Sequence, residues 1–266
     1  MNIDVFQIVA LALNGNAGLR GFDISRFWPG SLAFASDGTV TFRDRRDASS
    51  PWEEVAPDPL SWLGAMQPPP KGCRLHLIDD ELDEIGAQAP DAFTGGSRWL
   101  IEVVGEGASS VWEKASPVSA FEDEEPVWER AFYCIEPGWA PPPLETDLPA
   151  LTGEFARVLR DALAFAHAHR TGFHDSFEQA LGELASNAPA PFGGDGVTPA
   201  GFPVSLEARR LLAAAQSAWV FGGMGSWNDM GFDDDATQAS YDALSRALFN
   251  VVMRALRDGT NASVPG

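Results

Sequence analysis

The chain has 266 residues and a mass of 28.5 kDa, with 45% hydrophobic and 11% aromatic residues, nine Trp and 17 Phe among them. That is ample material for a packed core and excludes disorder throughout. Eighteen basic side chains stand against 38 acidic ones, a net charge of −20, and Arg43, Arg45 and Arg46 form the only basic triplet, so nucleic-acid binding is disfavoured.

The surplus is uneven. Residues 1–150 hold 10 basic and 25 acidic side chains and residues 151–266 hold 8 and 13, which puts an acidic face mainly on the first half. Lys71 and Lys114 are the only lysines. This Ala- and Arg-rich, Lys-poor usage suits a bacterial genome rich in G and C. The length admits one large domain or two ordinary ones. Cys73 and Cys134 are the only cysteines, without C-x-x-C spacing, so they make neither a disulfide framework nor a zinc site and read as reduced thiols of a cytoplasmic protein.

Near the start, Phe6 to Leu13 is an apolar run. Asp4 stands where a signal peptide needs a basic residue, and the run falls well short of the roughly 20 residues that span a bilayer. It predicts a buried strand or a first helix, with no membrane association. Up to about residue 136 the apolar segments are short and punctuated by Gly, Pro and Asp, as strands are. "SLAFASDGTVTF" predicts a hairpin about Ser36-Asp37-Gly38, with Leu32 facing Phe42 and Phe34 facing Val40. Further strands are expected at 73–78, 98–104 and 130–136. In the first of these, His76 alternates with Leu75 and Leu77 and reads as the polar face.

"IDDELDE" (78–84) lacks the glycine and the alternating oxygens of a calcium loop and reads as the solvated start of a helix. "VWEKA" (111–115) recurs as "VWERA" (127–131), marking two similar strand entries rather than a repeat architecture. Between them Glu122, Asp123, Glu124 and Glu125 form an acidic surface turn, the first candidate for partner binding.

"EPGWAPPPLETDLP" (136–149) can continue neither ladder nor helix. The expected organisation is therefore a β-rich acidic region over 1–136, a Pro-rich connection over 137–149 and a helical region over 150–266. The fold class is α+β: a mostly antiparallel N-terminal sheet with about four amphipathic helices packed on it or on each other. The helices follow the 3.6-residue period at 152–170, 174–186, 203–221 and 235–256. Thr152 is the expected N-cap of the first, Asp175-x-x-Glu178 a capping box for the second and Asp235-x-x-Gln238 one for the fourth.

Three segments of the helical half bear on function. "HAHRTGFHD" gathers His167, His169 and His174 beside Asp175, and imidazole with carboxylate is the ligand chemistry of a catalytic metal. On a helix, however, His167 and His169 point about 200° apart, and His167 and His174 line up only if the helix continues through Gly172. The long connection 187–203 is a possible hinge or gate at Gly193-Gly194-Asp195-Gly196. In "WVFGGMGSWNDMGFDDD" (219–235), Gly222 is the expected left-handed helix end, and Asp233 to Asp235 the cap of the next helix. Ser226, Trp227, Asn228 and Asp229 remain unexplained by helix ends. They offer an amphipathic ring beside three polar groups, the second candidate contact surface. The alternative is a loop folded back so that Trp227 and Phe232 plug the helix layer.

Without a phosphate loop, nucleophile elbow or paired Cys and His, the sequence points to a non-catalytic interaction protein without a cofactor. It would bind a basic protein, as an immunity protein or antidote binds a cationic toxin. The alternative is a metal-dependent hydrolase built on His167, His174 and Asp175 and gated by residues 187–203.

Overall fold

The first apolar run is a helix, α1 (Ile3–Leu19), begun by the Asn2 side chain accepting from the Asp4 amide. The computed structural model describes residues 1–35, 37–47, 49–65, 70–78, 98–105, 109–115, 118–122, 125–135, 146–194 and 197–264, with the backbone alone for 78, 98, 118–122 and 125–127. Along α1, Gln7 to Ala17 are all buried, polar residues included, as in a helix enclosed on every side rather than laid on a surface.

The fold is α+β, with four of the six α-helices among the described residues in the C-terminal half. The strands are β1 (Asp37–Asp44), β2 (Glu53–Ala56), β3 (Gly72–Ile78), β4 (Arg98–Val104), β5 (Ser110–Lys114), β6 (Val118–Glu122) and β7 (Glu125–Ile135). Their order is β2-β1-β7-β5-β4-β3, with β6 also on β7. β1 runs parallel to β7 and every other pairing is antiparallel. The two Val-Trp-Glu segments lie on opposite arms of one long hairpin, where Lys114↔Phe132 gives way to Val118↔Glu129, a shift of one residue.

The expected hairpin at 32–42 is replaced by a different arrangement. Leu32–Phe34 is a 3₁₀ turn with Leu32 66% exposed. β1 instead meets β2 at Phe42↔Ala56 and β7 at Phe42↔Phe132. Phe34 packs edge-on against Phe27 and Trp28, at centroid distances of 5.3 and 5.4 Å, a denser environment than a two-stranded ribbon provides. The short helix α2 (Pro59–Ala65) then lays Trp62 flat on Phe42, 4.5 Å away.

The remaining helices are α3 (Leu148–His169), α4 (His174–Ala185), α5 (Leu206–Ser217) and α6 (Asp235–Asn261). α3 and α5 each pack on α4 and α6, and α6 continues onto β3 and α1. One continuous apolar core therefore runs from Phe42 and Trp112 on the sheet to Phe155, Trp227 and Leu248 among the helices. Close approach is set by small residues: a Cβ on Gly15 would meet Cys73 Sγ at 2.8 Å, and one on Gly259 would meet Leu212 Cγ at 2.9 Å.

The caps differ from expectation by a few residues. Asp147, not Thr152, caps α3, because Pro in the first turn sets the start earlier, and the Thr152 hydroxyl donates to Leu148 O instead. α4 starts at His174, which leaves Asp175 inside the first turn instead of at the cap. Asp234 caps α6, accepting from the amides of Ala236 and Thr237, and the Thr237 side chain, with these amides, holds its carboxyl below the usual range. α5 ends at Ser217, before the expected left-handed glycine, with Ala218 right-handed at its cap.

At the β3 end of the sheet two asparagines stand in for a neighbouring strand. Asn16 accepts from Cys73 N (2.6 Å) and donates to Cys73 O (2.9 Å). Asn261 accepts from Leu75 N (2.7 Å) and donates to Leu75 O (2.9 Å). A carboxamide offers the same donor and acceptor pair as a peptide, so the outward groups of both residues are satisfied from α1 and α6.

Candidate functional site

Residues 219–235 fold back onto the helices. Trp227 sits in a 3₁₀ turn (Trp227–Asp229) with none of its surface exposed, and its Nε1 donates to Ser245 Oγ (2.7 Å). Phe173 and Phe177 meet its ring edge-on at 5.6 and 5.2 Å, and the Tyr241 hydroxyl donates to its carbonyl. The ring offered as a contact surface is thus a plug of the helix layer, because a ring enclosed by aromatics gains more than one left in water.

Its neighbours tie the loop together. Asn228 accepts from Gly222 N (3.0 Å) and Ser226 Oγ (2.7 Å) and donates to Gly222 O (3.1 Å), and Asp229 accepts from Gly225 N. Gly225, at φ +86°, supplies the left-handed turn. What this frame presents outward is Met224, entirely exposed at the apex, with Asp229, Asp233, Asp234 and Asp235 also exposed.

The second candidate, Glu122 to Glu125, is only partly described. Glu122 and Glu125 are paired backbone positions across the β6–β7 turn, while Asp123 and Glu124 lie outside the described residues. The expected helix start over 78–84 and most of the Pro-rich connection also lie outside them.

His167 and His174 come together, with ring centroids 5.4 Å apart, although the helix does not continue through Gly172. Arg170, in the left-handed conformation at φ 54°, ends α3 and folds α4 back beside it, a route that counting 3.6 residues per turn does not anticipate. Around them Glu178 is 3.9 Å from His167 and Asp175 3.3 Å from His174, all four side chains well exposed. His169 lies apart, its ring against Phe165 (4.3 Å) and Phe232 (5.2 Å). Among the described residues no group of three or more His, Cys, Asp or Glu is arranged to hold an ion.

Two buried polar clusters were not singled out by sequence. His76 is enclosed rather than on a solvated face, and its Nε2 lies 2.8 Å from Glu102 Oε2. That bond holds the Glu102 carboxyl below the usual range. The larger cluster joins α1 to the sheet. Arg130 donates to Asp37 Oδ1 (2.6 Å) and Asp4 Oδ1 (2.7 Å), and Lys114 donates to Gln7 Oε1 (2.9 Å) and to Asp4. Burial pushes the Lys114 ammonium down to about 8 against the pull of Asp4, and raises the Asp37 carboxyl despite Arg130. Two cations against two carboxylates make the cluster neutral overall, which is how charges persist in a core.

The connection 187–203 is anchored rather than loose in its described part. Gly193 N donates to Gln216 Oε1 (2.6 Å), Asn14 Nδ2 to Val197 O (2.6 Å), and Phe192 packs on Phe6 at 5.4 Å. Gly193 and Gly194 have φ of 71° and 78°, while Asp195 and Gly196 lie outside the described residues. The connection forms one wall of a cleft of about 840 Å³ against α1 and α5. Among the described residues no helix is long and apolar enough to cross a membrane. Comparison of the chain with protein-family models, with curated proteins and with solved structures finds no match in any of the three.

Proposed function

We propose that the chain is a non-catalytic binder of a basic protein, of the antidote type, and that it makes contact through the loop between α5 and α6. The observation that carries this reading is Met224, fully exposed on a loop held rigid from beneath and accompanied by exposed Asp229, Asp233, Asp234 and Asp235. An ordered apolar tip loses little entropy on docking, and methionine adapts its shape to a partner surface. The carboxylates, backed by a net charge of −20, attract a cationic partner and reject acidic ones. The Glu122 to Glu125 turn adds a second acidic element, and Trp227 contributes by fixing the loop rather than by touching the partner.

The test is a photo-crosslinking residue placed at Met224, with the same residue at exposed Asp161 on α3 as control, in extracts of the source cells. A discrete adduct with a protein of high isoelectric point is expected at position 224, absent at 161, and lost when Asp233, Asp234 and Asp235 are changed to Asn. Equal labelling at both positions, or an adduct indifferent to the three carboxylates, overturns the reading. The metal-dependent alternative rests on the proximity of His167 and His174. Stoichiometric zinc, iron or manganese that is lost in His167→Ala and whose removal lowers the melting temperature would replace the non-catalytic reading.

A further inference from the structure

The cleft behind the 187–203 connection shares no lining residue with the acidic loop and has a different character. Its volume of about 840 Å³ falls within the roughly 300–1,000 Å³ of small-molecule sites. Phe27, Phe192 and Phe202 are buried in its wall with Leu13 and Leu212, so the body of the cleft is apolar and aromatic.

Among the described residues that line it, two arginines, Arg26 and Arg209, stand with one acid, Asp23, in a chain where acids outnumber bases two to one. Positive charge is thus in excess by one among these residues. Ser25 donates its backbone amide to the Asp23 carboxylate (2.9 Å), and its hydrogen bonds, with a smaller pull from the Arg26 guanidinium, hold that carboxyl below the usual range.

A third observation comes from Asn14, 1% exposed in the cleft wall. Its two amide hydrogens are spent on Ala10 O (2.8 Å) and Val197 O (2.6 Å). That leaves Oδ1 as the acceptor still open among the described residues. An amide is costly to bury in an apolar wall, and one with an unspent acceptor suits a ligand that brings an N–H or O–H. The far wall is preformed, since Gly193, Phe192 and Val197 are each tied to a helix, so little ordering is left for binding to supply.

We propose that this cleft binds a small monocarboxylate with an aromatic or branched apolar body. Its carboxylate meets Arg26 and Arg209, its apolar part lies among the three phenylalanines, and a donor group reaches Asn14. The site is independent of the protein-binding reading and stands or falls without it.

The experiment uses the intact chain and three probes, phenylacetate, 4-phenylbutyrate and indole-3-propionate, each with its primary amide, followed by saturation-transfer NMR and calorimetric titration. At least one carboxylate is expected to bind saturably and at least tenfold tighter than its amide. In the doubly substituted Arg26→Gln, Arg209→Gln chain that acid should fall to the level of the amide. Both arginines are exposed, so the melting temperature of this variant should match the parent, and an unchanged melt shows that the loss is local. No saturable binding by any of the three acids, equal binding of acid and amide, or full binding by the arginine-free variant overturns the assignment.

Discussion

Replacing Trp227 by Ala separates a core plug from a contact residue. Trp227 is fully enclosed, and removing such a ring costs about 3–5 kcal/mol through lost transfer energy and the cavity left behind. Ser245 Oγ also loses its indole donor, adding about 1 kcal/mol. In a chain of this size 1 kcal/mol moves the melting temperature by roughly 2–4 °C, so a loss of about 5 kcal/mol lowers it by roughly 10–20 °C. Thermal unfolding followed by far-ultraviolet circular dichroism reads the shift directly. Trp227→Phe keeps most of the packing and should lose about 1–3 kcal/mol. Ser245→Ala isolates the hydrogen bond, and the double variant tests whether the two losses share one interaction. A Trp227→Ala chain that melts within about 2 °C of the parent yet no longer captures its partner would falsify the burial argument.

Arg130→Met removes the guanidinium from buried Asp37 and should cost about 3–5 kcal/mol at neutral pH. Burial already raises the Asp37 carboxyl in the folded chain, and losing Arg130 raises it further. The folded variant then holds a proton that the unfolded chain has released, so its stability relative to the parent improves as pH falls from 7 towards 5. Urea titrations at the two pH values check this, and a constant deficit would show that Asp37 is not the strained partner.

Burial pushes the Cys73 and Cys134 thiols up to about 12, so both stay protonated at pH 8. Iodoacetamide should label the folded chain at the rate of unfolding; labelling as fast as a free thiol would contradict their enclosure. Asn16→Leu breaks three bonds, to the amide and carbonyl of Cys73 and to Ser263, and should cost about 2–4 kcal/mol. Hydrogen exchange at the Cys73 amide should quicken at least tenfold, and an unchanged rate would mean that something else covers it.

The four helices of the C-terminal half were legible because each carries its own apolar period, and their boundaries shifted by a few residues, as where a proline sets the start of α3 and where α5 ends at Ser217 short of the glycine. The strands at β3, β4 and β7 were legible from punctuation. The 32–42 hairpin misled because alternation within a segment says nothing about a distant partner. Its apolar set is real, but Phe42 pairs with Phe132, 90 positions on. Trp227 could not be resolved locally, since Phe177, Ser245 and Tyr241 that enclose it come from two other helices. The ionic cluster did leave a trace: Lys114 shares a strand face with buried Trp112, and Arg130 with buried Phe132. Charges in register with core residues mark an interior pair, whereas solvated charge falls on the alternate positions.

The two asparagines that reach β3 from α1 and α6 give the sheet unlike ends. A second chain that approaches at Cys73 and Leu75 finds no free peptide groups to zip onto, so fibrous growth or strand exchange between copies is blocked there. At the opposite end β2 relies on brevity and on the charge of Glu53 and Glu54 for the same protection. Substitutions that lengthen that strand or neutralise it would therefore raise the tendency to aggregate more than any change beside α1.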